Sequence, residues 1–526
     1  MMKPFMTRRS FMTSALLAPW LPLFGHNARA EMTPPLALEL GPAQPFSFDW
    51  LREQAQQRAM HPYHAPMIRH AEIVAKIDYD AHREIEFRAE AALWRQGDGP
   101  YPVRFFHLGR QFTTPVKIHA VHEGAAREVR YSSRLFDFGK ADFAAVLPDD
   151  IGFAGFRVMN SRVGERDWLA FLGASYFRSA GELDQYGISA RGIAIDTAMP
   201  SGEEFPNFTH FWLEPAVDPQ TVMIHALLEG PSITGAYRIE ALRREGVVMD
   251  VEAVLFFRST IQRLGVAPLT SMFWFSETNH QPSWDWRPEV HDSDGLALWT
   301  GAGERIWRPL DNPPFLRTHS FMDHNPRGFG LSQRDRNFEN YQDDNVFYER
   351  RPTLWVEPLE SWGEGVVQLV EIPTNYEIND NIVAYWVPQQ APAQAGFSRT
   401  FRYRLHWVAD EPYWPDLGRV IATRMGWIDT PDRPPQPAHK VWFVIDFAGG
   451  PLDRLEKEAP VRVVASATRG VLRNSVSSQI VGARRWRAKF DVELEDAEPV
   501  DLRASLRLGD RALTETWLYQ FIPRPG

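Results

Sequence analysis

The heptapeptide Phe401-Arg402-Tyr403-Arg404-Leu405-His406-Trp407 alternates apolar and polar residues without a break. Successive strand side chains point to opposite faces, so Phe401, Tyr403, Leu405 and Trp407 share an apolar face and Arg402, Arg404 and His406 share the other. A period of two does not make the stripe of an amphipathic helix. Residues 247–256 begin the same alternation before turning apolar on both faces, and 103–108 form a shorter run. The chain holds 41 Pro and 35 Gly residues, enough to punctuate many short strands. Helical spacing is confined to 50–60 and 66–77. The expectation is a mostly-β protein built of large sandwiches with long loops.

A boundary falls after Trp407. Val408-Ala409-Asp410-Glu411-Pro412-Tyr413-Trp414-Pro415 and the proline-laden 429–437 read as linker and loop, and strand patterns resume at Val441. The expected division is 31–410 for a large sandwich, 411–438 for linker and loop, and 439–526 for a small sandwich of immunoglobulin-like size. Residues 1–30 read as an export leader. Thr7-Arg8-Arg9-Ser10-Phe11-Met12 is a twin-arginine motif, an apolar run broken by Pro19 and Pro22 follows, and Ala28-Arg29-Ala30 has the small-x-small pattern of a cleavage site. That run is too short to anchor in a bilayer, so the expected location is the periplasm.

Composition excludes several chemistries. With no cysteine among 526 residues, there is no disulfide, thiol nucleophile or zinc–thiolate site. The net charge of −10 is spread along the chain without a Lys/Arg block, so no nucleic-acid partner is expected. The 19 tryptophans suit either a β core or flat surfaces for stacking sugars, and their number alone does not decide between these.

No nucleophile elbow, P-loop or dinucleotide fingerprint occurs. His319 and His324 flank Asp323 at a spacing that fits a polar loop better than a metal site, and no metal or other cofactor is expected. Carboxylates are the better candidates. His291-Asp292-Ser293-Asp294 follows a Trp-rich segment, and Asn379-Asp380-Asn381 interrupts two strand-like runs. Taken from the residues alone, each aspartate fits a turn or cap better than a catalytic role. Two acids are nevertheless the minimum for glycoside cleavage, one protonating the leaving oxygen and the other activating water.

Long segments of the chain resemble the osmoregulated periplasmic glucan biosynthesis family (the OpgG/OpgD, or MdoG/MdoD, proteins). Among them are Gly152-Phe153-Ala154-Gly155-Phe156-Arg157-Val158, Gln185-Tyr186-Gly187-Ile188-Ser189-Ala190-Arg191-Gly192, Arg351-Pro352-Thr353-Leu354-Trp355-Val356-Glu357-Pro358 and Glu515-Thr516-Trp517-Leu518-Tyr519-Gln520. The twin-arginine leader resembles the D-type branch. This resemblance implies a galactose-mutarotase-like β-sandwich followed by an immunoglobulin-like sandwich. It also implies an anomer-inverting endo-β-1,2-glucanase, with relatives that transfer or cyclise the chain instead. Asp292 of the His-Asp-Ser-Asp motif takes the role of general base, and Asp380 of Asp-Asn-Ile-Val that of general acid. Tyr176, Arg178, Tyr186, Arg191, Trp299, Tyr341, Tyr348, Arg351, Trp355 and Trp362 lie in or near matching segments and are the expected substrate contacts. The implied partner is β-1,2-glucan; an inner-membrane glucan synthase and a homodimer are compatible with the resemblance. A non-enzymatic glucan-binding role is the alternative. Residues 427–437 are richer in proline than the D-type pattern, which leaves hydrolysis and transfer both open.

Overall fold

The computed structural model describes residues 36–139, 147–161, 164, 166–279, 285–389, 393–427 and 440–523. The leader and the prolines of 431–437 lie outside the described residues. Among the described residues, no helix is long and apolar enough to cross a membrane.

Strands dominate, as the alternation predicts. A 16-stranded sheet and a 10-stranded sheet pack face to face. Phe156 and Phe171 of the smaller sheet meet Phe211 of the larger at ring distances of 5.1 and 5.5 Å. The heptapeptide lies in strand Ser398–Val408, between Val247–Phe257 and Thr353–Pro358. Phe401, Tyr403, Leu405 and Trp407 are all buried, while Arg402 and Arg404 pair outside with Glu252 and Asp250 of the neighbouring strand. His406 departs from the pattern. It is buried, with Nε2 2.8 Å from Glu357 Oε2 and the Tyr413 ring 6.1 Å away over that end of the face.

The helix expected over 50–60 is present as α1, Phe48–Ala59, started by Ser47, whose hydroxyl accepts from the Trp50 N–H. Leu51 and Ala55 pack down on the outer face of the large sheet. The helix expected over 66–77 is not continuous and shrinks to one turn, Ala71–Val74. His70 ahead of it has φ of 52°, a left-handed conformation that no α-helix continues through. Asp78 then caps a separate short helix, Tyr79–Glu84.

The second sandwich contains a four-stranded sheet of Arg419–Trp427, Lys440–Ala448, Arg485–Glu493 and Val471–Gln479. Phe443 and Phe490 of this sheet meet Trp517 of the opposite layer at 5.9 and 6.1 Å. That opposite layer is not separate. Ile306 and Trp307 pair in parallel with Thr516 and Trp517, so Thr516–Phe521, Val500–Leu508 and Arg462–Ala467 extend the 16-stranded sheet. The linker expected over 411–438 is corrected accordingly, since Arg419–Trp427 inside it is a full strand. Its inward residues Val420 and Thr423 are buried, but flanking prolines obscure the alternation in the sequence.

Candidate active site

The two aspartate motifs meet at one tripeptide, Ser271-Met272-Phe273, where strand Leu264–Ser271 ends and Phe273–Phe275 begins. On one side, the Asp292 N–H donates to the Met272 carbonyl at 2.8 Å, and the hydroxyls of Ser271 and Ser293 lie 2.6 Å apart. On the other, Ser271 is in register with Ile382. Asn381 Oδ1 accepts from the Phe273 N–H at 2.8 Å, and its Nδ2 donates to the carbonyls of Phe273 and Ile372 at 2.9 and 3.0 Å. A buried backbone amide left without a partner is costly, so one side-chain amide that satisfies both polar groups of Phe273 fixes the loop before strand Ile382–Pro388. Phe273 also stacks on His291, with ring centroids 5.4 Å apart.

Asp292 is almost wholly buried, with Oδ1 2.7 Å from an Arg351 guanidinium nitrogen. The same nitrogen of Arg351 donates to the Tyr186 carbonyl at 2.9 Å, and the guanidinium lies 4.6 Å over the Tyr348 ring. Arg178 in turn lies 4.8 Å over Tyr186, whose hydroxyl donates to Asp167 at 2.9 Å. Asp380 keeps 9% of its surface exposed, directly before the strand that Asn381 anchors.

A second layer holds His291. Its Nε2 lies 3.1 Å from Glu289 and its Nδ1 3.0 Å from Gln333 Oε1, with Asp294 at 3.4 Å. Burial opposes charge on this imidazole, but the Glu289 hydrogen bond and the Asp294 charge outweigh it and raise its pKa to about 9. Gln333 Nε2 contacts the Tyr341 hydroxyl and the Tyr348 carbonyl at 3.1 and 3.0 Å. Behind Tyr348, Arg287 joins Asp343 and Glu377 at 3.0 and 2.8 Å. Burial, and then Glu289, push the Glu277 carboxyl up to about 7, and it accepts the Thr423 N–H at 2.9 Å.

Of the expected contacts, Arg351, Tyr348, Tyr341, Tyr186 and Arg178 thus form one connected group with Asp292. Tyr176 and Arg191 form their own pair across neighbouring strands, guanidinium over ring at 5.1 Å, with Arg191 held by Glu203 at 2.6 Å. Tyr176 also lines a separate cavity of about 100 Å³ with Phe171 and Phe208. Trp299 lies at the seam of the two sandwiches, 4.0 Å from the Arg305 guanidinium. Trp355 is fully buried at that seam, and Trp362 is packed against Trp386 in the main core. His319 lies 3.2 Å from Glu371 in an ion-paired group with Arg308 and Arg317, and His324 is exposed.

Sequence reasoning missed Asn381, His291, Glu289, Gln333 and Arg287. The first two adjoin the aspartates in their motifs, which was the available signal. Gln333 has none, because its partners come from three separate segments.

Fold and site together define a double β-sandwich protein whose two buried aspartates converge on one backbone segment. Residues 46–521 match the family described as "Periplasmic glucan biosynthesis protein, MdoG". The chain is 51% identical to Glucans biosynthesis protein D 2 of Ralstonia nicotianae, over 98% of each chain. It is 45% identical to Glucans biosynthesis protein D of Xanthomonas campestris pv. campestris over 99% of each, and 45% identical to that of Stenotrophomonas maltophilia over 99% of this chain and 98% of the relative. The chain belongs to the periplasmic glucan biosynthesis family.

Proposed function

We propose that this protein serves periplasmic glucan biosynthesis as an anomer-inverting endo-β-1,2-glucanase, with Asp380 as general acid and Asp292 as general base. The observation that carries this reading is the joint anchoring of both aspartate motifs on Ser271-Met272-Phe273, which couples two acids remote in sequence within one rigid frame. In an inverting reaction Asp380 donates its proton to the glycosidic oxygen as the bond to the anomeric carbon breaks. Asp292 accepts a proton from the water that attacks the opposite face. Arg351 orients the Asp292 carboxylate, and His291 with its Glu289 and Gln333 partners holds the loop that carries it. An inner-membrane glucan synthase and a second copy of the chain are the partners of this reading.

Replacing Asp380 or Asp292 with Asn preserves size and removes the acid. Either change is expected to lower turnover of linear β-1,2-glucan by about two orders of magnitude or more with the fold retained. Reducing-sugar release together with circular dichroism checks this, and wild-type turnover in both variants would remove the assignment. Cyclic or newly linked products in place of short linear oligosaccharides would reassign the same acids to transfer.

A further inference from the structure

The outer face of the large sheet carries a feature that the acid pair does not use. Strand Asn207–Pro215 runs parallel to Lys117–His122, with His210 opposite Lys117 and Trp212 opposite His119. Alternation sends all four side chains to the outer face, since Ile118, Phe211 and Leu213 point into the core. Helix α1 covers the next strands, Thr221–Glu229, Ile233–Arg243 and Val247–Phe257. Twelve residues reach only about 18 Å, so the edge of this face stays uncovered. What remains is a cleft of about 280 Å³, walled by Trp50, Gln54 and Arg58 of the helix and floored by Lys117, His119, Glu128, His210 and Trp212.

The floor is ordered by ring stacking. His119 and His210 lie nearly parallel to Trp212, at 5.0 and 5.8 Å, and Phe46 stacks behind it at 5.1 Å. Nδ1 of His119 is engaged by the Phe211 carbonyl and Nδ1 of His210 by the Thr209 hydroxyl. Each ring keeps Nε2 for a ligand. Burial lowers the pKa of both, to about 3 for His210, so both rings are neutral at physiological pH. Arg58 is held by Glu229 at 2.8 Å, and Lys117 and Glu128 bring one charge of each sign to the lining. Trp50 at the rim is 39% exposed. A flat ring, neutral hydrogen-bonding imidazoles, an amide and balanced charge match an uncharged polyhydroxyl ring with an apolar C–H face. They do not match an anion or a cation.

We infer that this cleft is a second, non-catalytic site that seats a glucosyl unit of the glucan chain on the far side of the sandwich from the strand Asp380 precedes. The glucosyl identity rests on the glucan reading above; the uncharged pyranose class rests on the cleft alone. A long chain held there stays on the protein between encounters with the acid site.

The test measures binding of linear β-1,2-glucan, by calorimetry and saturation-transfer NMR, to Asp380→Asn protein with and without Trp50→Ala. Lys117→Ala, at an exposed position, is the parallel variant should Trp50→Ala unfold. Loss of stacking or of a hydrogen bond predicts affinity for the polymer lower by roughly fivefold or more. With Asp380 intact, the rate on short oligosaccharides stays unchanged. Equal affinity in all variants, or competition by inorganic phosphate, overturns the site. If the intact enzyme leaves glucan uncleaved while binding still depends on Trp50, the cleft stands and the catalytic reading falls.

Discussion

Asn381 holds the site through the backbone groups it satisfies. One amide satisfies the N–H and C=O of Phe273 and the carbonyl of Ile372. Asn381→Ala leaves the buried N–H and C=O of Phe273 without partners, and each unsatisfied group costs about 1–3 kcal/mol. The expected outcome is a clear drop in the urea midpoint and a kcat that falls with Asp380 still present. Retention of wild-type stability and kcat would show that the anchor is dispensable. The residues alone favour a turn role for both aspartates, and only the family resemblance singles them out. Their neighbours His291 and Asn381 were in view but unassigned, because what they hold is a backbone segment far along the chain.

Strands carry this frame, and Glu371 at the end of Glu364–Glu371 locks the one that leads toward Asp380. Burial alone would raise its pKa, but Arg308, His319 and Arg317 outweigh burial and lower it from an ordinary 4.5 to about 2. A depressed carboxyl contributes stability that is present above pH 4.5 and is lost as pH falls toward 2. Glu371→Gln leaves buried Arg308 without its anion and Arg317 with Asp311 alone, and is expected to destabilise by about 3–5 kcal/mol at pH 7. The gap from wild type should narrow on acidification below 4.5, and a gap constant from pH 7 to 3 in urea titrations would contradict this. Elements with uninterrupted periodicity, such as Ser398–Val408 and α1, were legible from residues alone. Two were not: His70 breaks the 66–77 helix by its backbone conformation, and Arg419–Trp427 is a strand hidden between proline-rich segments.

At the scale of the molecule, the two sandwiches share a sheet, and the second supports the site of the first. Arg334 joins Glu411 and Glu515 at 2.7 and 2.6 Å with its guanidinium 3.7 Å over Trp307. Thr423 of the small sheet bonds Glu277 and Thr278, just beyond the Phe273–Phe275 strand. A sheet continuous across both sandwiches depends on the Ile306–Thr516 pairing, and no local pattern reports a contact between segments so far apart. The proposed inversion by an acid pair would take place in this composite frame. The most direct test is time-resolved NMR of the purified protein with linear β-1,2-glucan. New reducing ends are expected first as the α-anomer, relaxing to the equilibrium mixture only by mutarotation. First appearance of the β-anomer, or a polymer left intact, would contradict it.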